Sequence, residues 1–264
     1  MKDKLAIEEY RAYIENTIIP SFNGLIDRDC YSVIINREHK IEICTNKSAR
    51  SVGANNWQEQ KGFCYLDGTD DALLESFFKS AFSGSAKEEI KRYVNKLILL
   101  QKKVLTTGIA IQFIDMLPYN NKFLTYITTY TPIFHPNGEI LAIQSYSSES
   151  YVLRFQGHIS DPHEVKSGNF TSSFTNRELE MLFLLSNGAT QEQLSQILNI
   201  SRGTVAAVIS NQLCPKFGIA GANTRLLSEA AIKAGMYQHM PQSLWRPVLI
   251  ILNADLVEEF AVNS

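Results

Sequence analysis

Two helix-start signals with one stop between them narrow the folds open to this chain more than any other feature. Thr175 is followed three residues later by Glu178, and Thr190 three residues later by Gln193. Each pair makes a capping box. The threonine oxygen accepts a backbone N–H of a new helix, and the Glu or Gln reaches back to the N–H of the cap. Gly188 lies between them and supplies the left-handed residue at which a first helix can stop. Leu179, Leu182 and Leu185 mark the buried stripe of a helix over 176–187, and Leu194, Ile197 and Leu198 that of a second over 191–199. A tight turn at Asn199-Ile200 leads to Ser201, a natural N-cap, and Val205, Ile209 and Leu213 then recur at four-residue spacing. A fourth helix spans roughly 223–234. Helices this short do not stand alone in water, so they must pack on one another, with one of them presented outward.

Phe174-Thr-Asn-Arg-Glu178, Leu182, Gly188, Thr190 to Leu194, Ile200-Ser201, Thr204-Val205, Lys216-Phe-Gly-Ile219 and Arg225 carry a family pattern. On these residues the segment 173–236 resembles the LuxR/FixJ-type helix-turn-helix DNA-binding domain. The resemblance implies that the third helix enters the major groove of double-stranded DNA. It nominates Thr190, Ser201, Arg202, Thr204, Val205, Ala206, Ala207, Val208, Ser210, Asn211, Lys216 and Arg225 as the DNA-facing set. Thr190 and Ser201 are equally explained by capping alone, and Arg225 by a structural or backbone contact.

The pattern breaks in two places. Where the family commonly carries basic or polar groups, this chain has Ala206, Ala207 and Val208, which can at most touch a thymine methyl. Pro215 falls where the family helix usually continues, which predicts an end or kink near Leu213. Arg177, Arg202, Lys216, Arg225 and Lys233 are nearly balanced by Glu178, Glu180, Glu192 and Glu229. Duplex affinity comes largely from neutralised phosphates, so one copy of such a domain should bind weakly. Two readings stay open. The protein is a homodimeric regulator using shape and methyl readout, or the helix-turn-helix is degenerate and sequesters another regulator as a protein-interaction module.

The 264 residues carry a formal net charge of -2, so any pull on nucleic acid must be local. Cys30, Cys44, Cys64 and Cys214 form no C-x-x-C pair and no metal-like cluster, as free thiols of a reducing cytoplasm would. The start at Met1-Lys-Asp-Lys-Leu5 has no long apolar core, and the run 248–252 is far short of a membrane span, so a cytoplasmic protein without membrane partners is expected.

Ile7, Tyr10, Ile14 and Ile18 predict an amphipathic helix within 1–24, packing on its own domain or on a second chain. Strands at 31–35 and 40–44 flank the hairpin turn Asn36-Arg-Glu-His39. Helical stretches follow at 46–52, 71–82 and 87–106, then strands at 109–116, 123–134 and 139–147. Pro118-Tyr-Asn-Asn121 and His135-Pro-Asn-Gly138 mark the turns. Two strands, helices and three antiparallel strands make the order of a PAS domain. Thr45-Asn-Lys-Ser-Ala49 is similar to its first helix and Pro132-Ile-Phe-His-Pro-Asn-Gly-Glu139 to its closing hairpin. The expected organisation is thus α+β, with a PAS-like sensory or dimerisation domain over 25–154, a polar linker over 155–172 and an apolar extension over 237–264.

The helix at 87–106 has no histidine for haem, and the Asn-Cys-Arg-Phe pattern of flavin photosensors is absent, so no fixed cofactor is expected. A small apolar ligand or a purely dimerising role remains for the front half. His158, His163 and Glu164 lie in the polar linker at a spacing that fits no metal motif. Without a Gly-rich phosphate loop or a G-x-S-x-G elbow, no catalytic residue is nominated. Leu244, Trp245 and the run 248–252 are too apolar to stay in water. They are expected to fold back on the helical domain or to reach a second protomer, with a short helix near 256–260.

Overall fold

The structure, a computed structural model, describes residues 6–64, 71–78, 82–84, 86–119, 122–150, 173–238 and 240–261. The expected linker, with His158, His163 and Glu164, lies outside the described residues. The chain divides into two compact units, one of Met1–Ile114, Tyr126–Ser148 and Ile251–Ala254, the other of Asp115–Thr125, Glu149–Ile250 and Asp255–Ser264.

The sheet begins with β1 (Tyr31–Asn36) and β2 (Ile41–Cys44), followed by helices α2 (Asn46–Ser51), α3 (Asp71–Phe78) and α4 (Ala86–Thr107). Strands β3 (Ile111–Tyr119), β4 (Lys122–Phe134) and β5 (Ile140–Glu149) come next, and β6 (Val248–Ile251) closes the series. The strand order is β2-β1-β5-β4-β3-β6. Apart from β6, this is the strand and helix succession expected of a PAS-like domain. β1 pairs antiparallel with both β2 and β5, from Tyr31 opposite Ser147 to Asn36 opposite Ala142. The hairpin turn is tied by Asn36, whose side-chain oxygen accepts the N–H groups of Glu38 (2.8 Å) and Lys40 (2.9 Å), while His39 takes the left-handed conformation at φ 63. On α4, Ile90, Tyr93, Val94, Leu97, Ile98, Gln101 and Val104 recur every three or four residues and are all buried.

The first helix, α1 (Ile7–Tyr13), runs on through a π-helical turn (Ile14–Ile18) into Ile19–Phe22. Ile14 and Phe22 pack with Ile34, Ile43, Leu141 and Ala142, so this helix covers one face of its own sheet. Of the expected stripe, Ile14 is buried and Tyr10 and Ile18 partly so, whereas Ile7 is exposed. The Tyr10 hydroxyl donates to the carbonyl of Leu141 (3.0 Å) and accepts the N–H of Arg37 (3.2 Å). Burial is the main cause that raises its pKa above the phenol's usual 10.0.

The helical unit comprises α5 (Asn176–Ser186), α6 (Gln191–Leu198), α7 (Arg202–Val208) and α8 (Thr224–Lys233). Both capping boxes are formed, at Thr175–Glu178 and Thr190–Gln193. Gly188, at φ 94, follows the first helix as expected. α5 differs from the one-sided helix its leucines suggested. From Met181 to Asn187 every residue is buried, because this helix is the centre of the unit rather than one wall of it.

Of the two outcomes expected of the proline in the third helix, an end or a kink near Leu213, the end does not occur there. The rod does not end near Leu213: α7 continues through a π-helical turn (Ile209–Leu213) into Cys214–Lys216, with Pro215 inside that last turn. The N–H of Cys214 bonds to the carbonyl of Ile209, one residue farther back than in an α-helix. The widened turn makes room for a ring that would otherwise meet a carbonyl, and absorbs the missing N–H. The same arrangement precedes Pro20, where the N–H of Ile19 reaches the carbonyl of Ile14.

The tail first folds back on the helical unit, one of the two courses expected, with Arg246 on the carbonyl of Ile197, and then takes a course that neither expectation contained. Met240 and Leu244 are buried, but Val248–Ile251 enters the sheet as β6 beside β3, with all four residues buried. The N–H of Leu252 donates to the carbonyl of Gln112 (2.9 Å). Asn253 then imitates a strand residue with its side chain, accepting from the N–H of Gln112 (2.7 Å) and donating to the carbonyl of Ala110 (3.1 Å). A Val-Leu-Ile-Ile run suits a strand, and an unpaired edge on β3 is the partner such a run needs. The expected short helix follows as α9 (Ala254–Ala261). Among the described residues, no helix is long and apolar enough to cross a membrane.

Candidate nucleic-acid interface

The turn between α6 and α7 is tied down from several sides. Asn199 caps α6 in the left-handed conformation (φ 51, ψ 52), and the N–H of Ile200 returns to the carbonyl of Ser195 at 3.1 Å. The end carbonyls of α6 receive two guanidinium groups, Arg246 on Ile197 (2.9 Å) and Arg177 on Leu198 (3.5 Å). Cations are favoured there, where the helix dipole leaves negative charge. Arg246 was not foreseen, since it lies in the tail and only the folded chain returns it to this helix end. A left-handed residue with a side chain costs about 1–2 kcal/mol unless it is Gly, Asn or Asp. Asn199→Gly should therefore hold its thermal unfolding midpoint, while Asn199→Val should lower it by several degrees. Equal midpoints for the two would mean that the turn relaxes.

Ser201 opens α7, its hydroxyl accepting the N–H of Thr204 at 3.0 Å and sharing a hydrogen bond with the Thr204 hydroxyl at 2.9 Å. Val205, Ile209 and Leu213 are fully buried and orient the rod. Val205 therefore sits in the core, where a branched aliphatic at this spacing belongs. Arg202, Gly203, Thr204, Ala207, Asn211 and Gln212 are exposed, and Ala206, Val208 and Ser210 are half-buried. The Ser210 hydroxyl donates to the Asn211 side-chain oxygen (3.0 Å) and to the carbonyl of Ala207 (3.3 Å). Thr190 is exposed at the start of α6, its hydroxyl accepting the N–H of Gln193 at 3.2 Å.

The bases nominated for phosphate contact are placed unequally. Lys216 donates to both oxygens of Glu178 (2.7 Å each) and to the carbonyl of Ser173 (3.0 Å). Arg225 pairs with Glu229 (3.1 Å) one helical turn on; Arg177, outside the nominated set, pairs with Glu180 (2.9 Å). Arg202 has only a long pair with Glu192, at 3.9 Å, and its side chain is 73% exposed. Of these four pairs it is the longest, and only Arg225, at 89%, has a more exposed side chain. Along the third helix, exposed Arg202 at the leading end is followed by the methyl groups of Thr204 and Ala207, then by Asn211 and Gln212.

Two pairs of buried polar groups in the sheet unit are matched. Thr128 and Ser147 share a hydrogen bond (2.9 Å), and His39 Nδ1 lies 2.8 Å from Gln101 Oε1. The Thr125 hydroxyl is buried with no hydrogen-bond partner. The four cysteines are free, and burial pushes the Cys44 thiol up to about 11, which leaves it inert. Among the described residues, no group of His, Cys, Asp or Glu is arranged to hold a metal ion.

Residues 172–221 match the family described as bacterial regulatory proteins, luxR family, and form a LuxR-type helix-turn-helix domain. No curated protein matches the chain in sequence. Among solved structures, the chain is similar to VqmA bound to DPO, at 17% identity over 89% of this chain and 96% of that one, with a TM-score of 0.48. A Vibrio cholerae VqmA dimer gives 18% identity over 94% and 97%, with a TM-score of 0.47. A phage VqmA–DPO complex gives 19% over 94% and 100%, with a TM-score of 0.49.

Proposed function

We propose, with the LuxR-type domain at residues 172–221 as the premise, that this chain is a dimeric DNA-binding transcription regulator of the cytoplasm. In this reading the PAS-like domain receives a small-molecule or protein signal, or holds two chains together, and so controls the helix-turn-helix. The single observation that carries it is the leading end of the third helix. There a buried stripe fixes the rod, Ser201 caps it, and Arg202 stands exposed with only a long ion pair. Phosphate contacts from Arg202 and from the polar groups at the start of α6 would set the register, and the outward face of α7 would lie along base edges. Because the domain is nearly neutral, two copies on two half-sites, about one helical turn apart, supply the phosphate contacts that one copy lacks.

The test is selection of duplexes with random cores by the full chain at two salt concentrations. A palindromic motif should emerge, and Arg202→Ala should weaken it roughly tenfold and lower the salt slope by about one per lost phosphate contact. Retention of no duplex even at low salt would end this reading. The exposed methyl of Ala207, with half-buried Ala206 and Val208, favours one alternative, a module that binds and sequesters another regulator. Partner binding abolished by Ala207→Glu, with DNA binding never observed, would establish that alternative.

A further inference from the structure

We infer that the third helix reads A·T pairs, so that the half-site it prefers is rich in thymine and adenine; this rests on the DNA-binding reading above. The argument starts from what the outward face can offer once its internal bonds are counted. The hydroxyls of Ser201 and Thr204 are joined to each other, and that of Ser210 is bonded to Ala207 and Asn211. After Arg202, the helix carries no charged side chain until Lys216, whose ammonium is held on both oxygens of Glu178. The usual reader of guanine is Arg or Lys placed bidentate on O6 and N7, and the middle of this helix has neither.

What it does present is methyl groups and two amides, Asn211 and Gln212. Ala207 is exposed, and the methyls of Thr204 and Val208 flank it on the same rod. In the major groove only thymine displays a methyl group, so a methyl surface gains most by burying thymine C5-methyls. Asn211 stands four residues beyond Ala207, one turn along the rod, and is exposed. An asparagine amide matches adenine N6 and N7 with two hydrogen bonds. The Ser210 hydroxyl fixes the orientation of that amide by donating to its oxygen. Methyl face and amide therefore select the two partners of the same base pair. Specificity would come from apolar fit and the Asn211 amide, with Gln212 exposed beside it and Arg202 fixing the position.

The full chain is first used to select duplexes from a random-core pool. The best of them is then resynthesised with deoxyuridine at each thymine of the half-site core. Uracil keeps every hydrogen-bonding edge of thymine and lacks only the methyl, and the protein is unchanged, so folding does not enter. Binding should weaken about fourfold for each methyl that Thr204, Ala207 or Val208 covers. Asn211→Ala should in addition relax the preference at one adenine while leaving the other core positions as they were. A selected core rich in G·C, or a deoxyuridine duplex that binds as well as its thymine parent, overturns the inference and leaves the DNA-binding reading standing. Retention of no duplex at all removes both.

Discussion

A chain ending at Pro247 should unfold at a far lower temperature than the full chain and form higher-order aggregates. Val248, Leu249, Ile250 and Ile251 are all buried, Ile250 completely. Burying each such side chain is worth about 1.5–3 kcal/mol, and a compact unfolded state reduces that figure. The strand as a whole therefore contributes on the order of 4–8 kcal/mol, comparable with the net stability of a typical domain. Its removal also strips β3 of a neighbour and of the bonds from Leu252 and Asn253 to Ala110 and Gln112. An unpaired, apolar strand edge is a template for association. Urea unfolding with light scattering would measure both effects. An unchanged midpoint and an unchanged mass would show that β6 adds nothing to the sheet. Ile250→Ala is the milder form of the same test, expected to cost about 2–4 kcal/mol.

The second large effect is expected at Lys216. Glu178 is almost fully buried at the first turn of α5, where it completes the capping box with Thr175 and accepts Lys216 on both oxygens. Lys216→Met would leave that carboxylate without its cation. Losing one partner of a fully buried pair costs about 3–5 kcal/mol. The Lys216 side chain is 37% exposed, so water would screen part of the loss and about 2–3 kcal/mol is expected. Glu178→Gln in the same chain should restore part of the loss, because no charge is then stranded. Restoration of nothing would mean that Lys216 acts through other contacts.

The same pair sets an acid limit. Burial pushes the Glu178 carboxyl up, but the hydrogen bonds from Lys216 and Thr175 and the lysine charge outweigh it and hold the group below its usual 4.5. A carboxylate depressed on folding stabilises the fold fully above its unfolded value, and that contribution drains away as pH falls through the folded value. The helical domain should therefore lose stability below about pH 4.5. Lys216→Met should flatten that loss, and unfolding midpoints at a series of acid pH values would show it.

The lysine also shows what separates a residue pattern from a site. Lys216 and Arg202 are both bases in a DNA-binding family pattern, and local sequence treats them alike. Folding gives one a buried carboxylate 2.7 Å away and the other only a carboxylate at 3.9 Å. Which base remains available to a phosphate depends on where Glu178 comes to rest, thirty-eight positions from Lys216. Val205 is the converse case. Its place in a four-residue stripe already marked it as core, and the family pattern alone put it among the DNA-facing residues.

The local events were legible in the residues alone: both capping boxes, the stop at Gly188, the N-cap at Ser201, the hairpin around Asn36 and the strand and helix succession of the PAS-like domain. Each is decided within a few residues, by hydrogen bonds between a side chain and its own backbone or by the period of apolar positions. Tertiary structure decided the rest. It buried α5 on all sides from Met181 onward, carried the third helix past Pro215 through a widened turn, and brought Arg246 back to the end of α6. It also placed the apolar tail in the sheet, beside a strand more than a hundred residues away. A run such as Val-Leu-Ile-Ile states only that it must be buried. The open edge of β3 supplied the backbone donors and acceptors that made it a strand, and that edge exists only after folding.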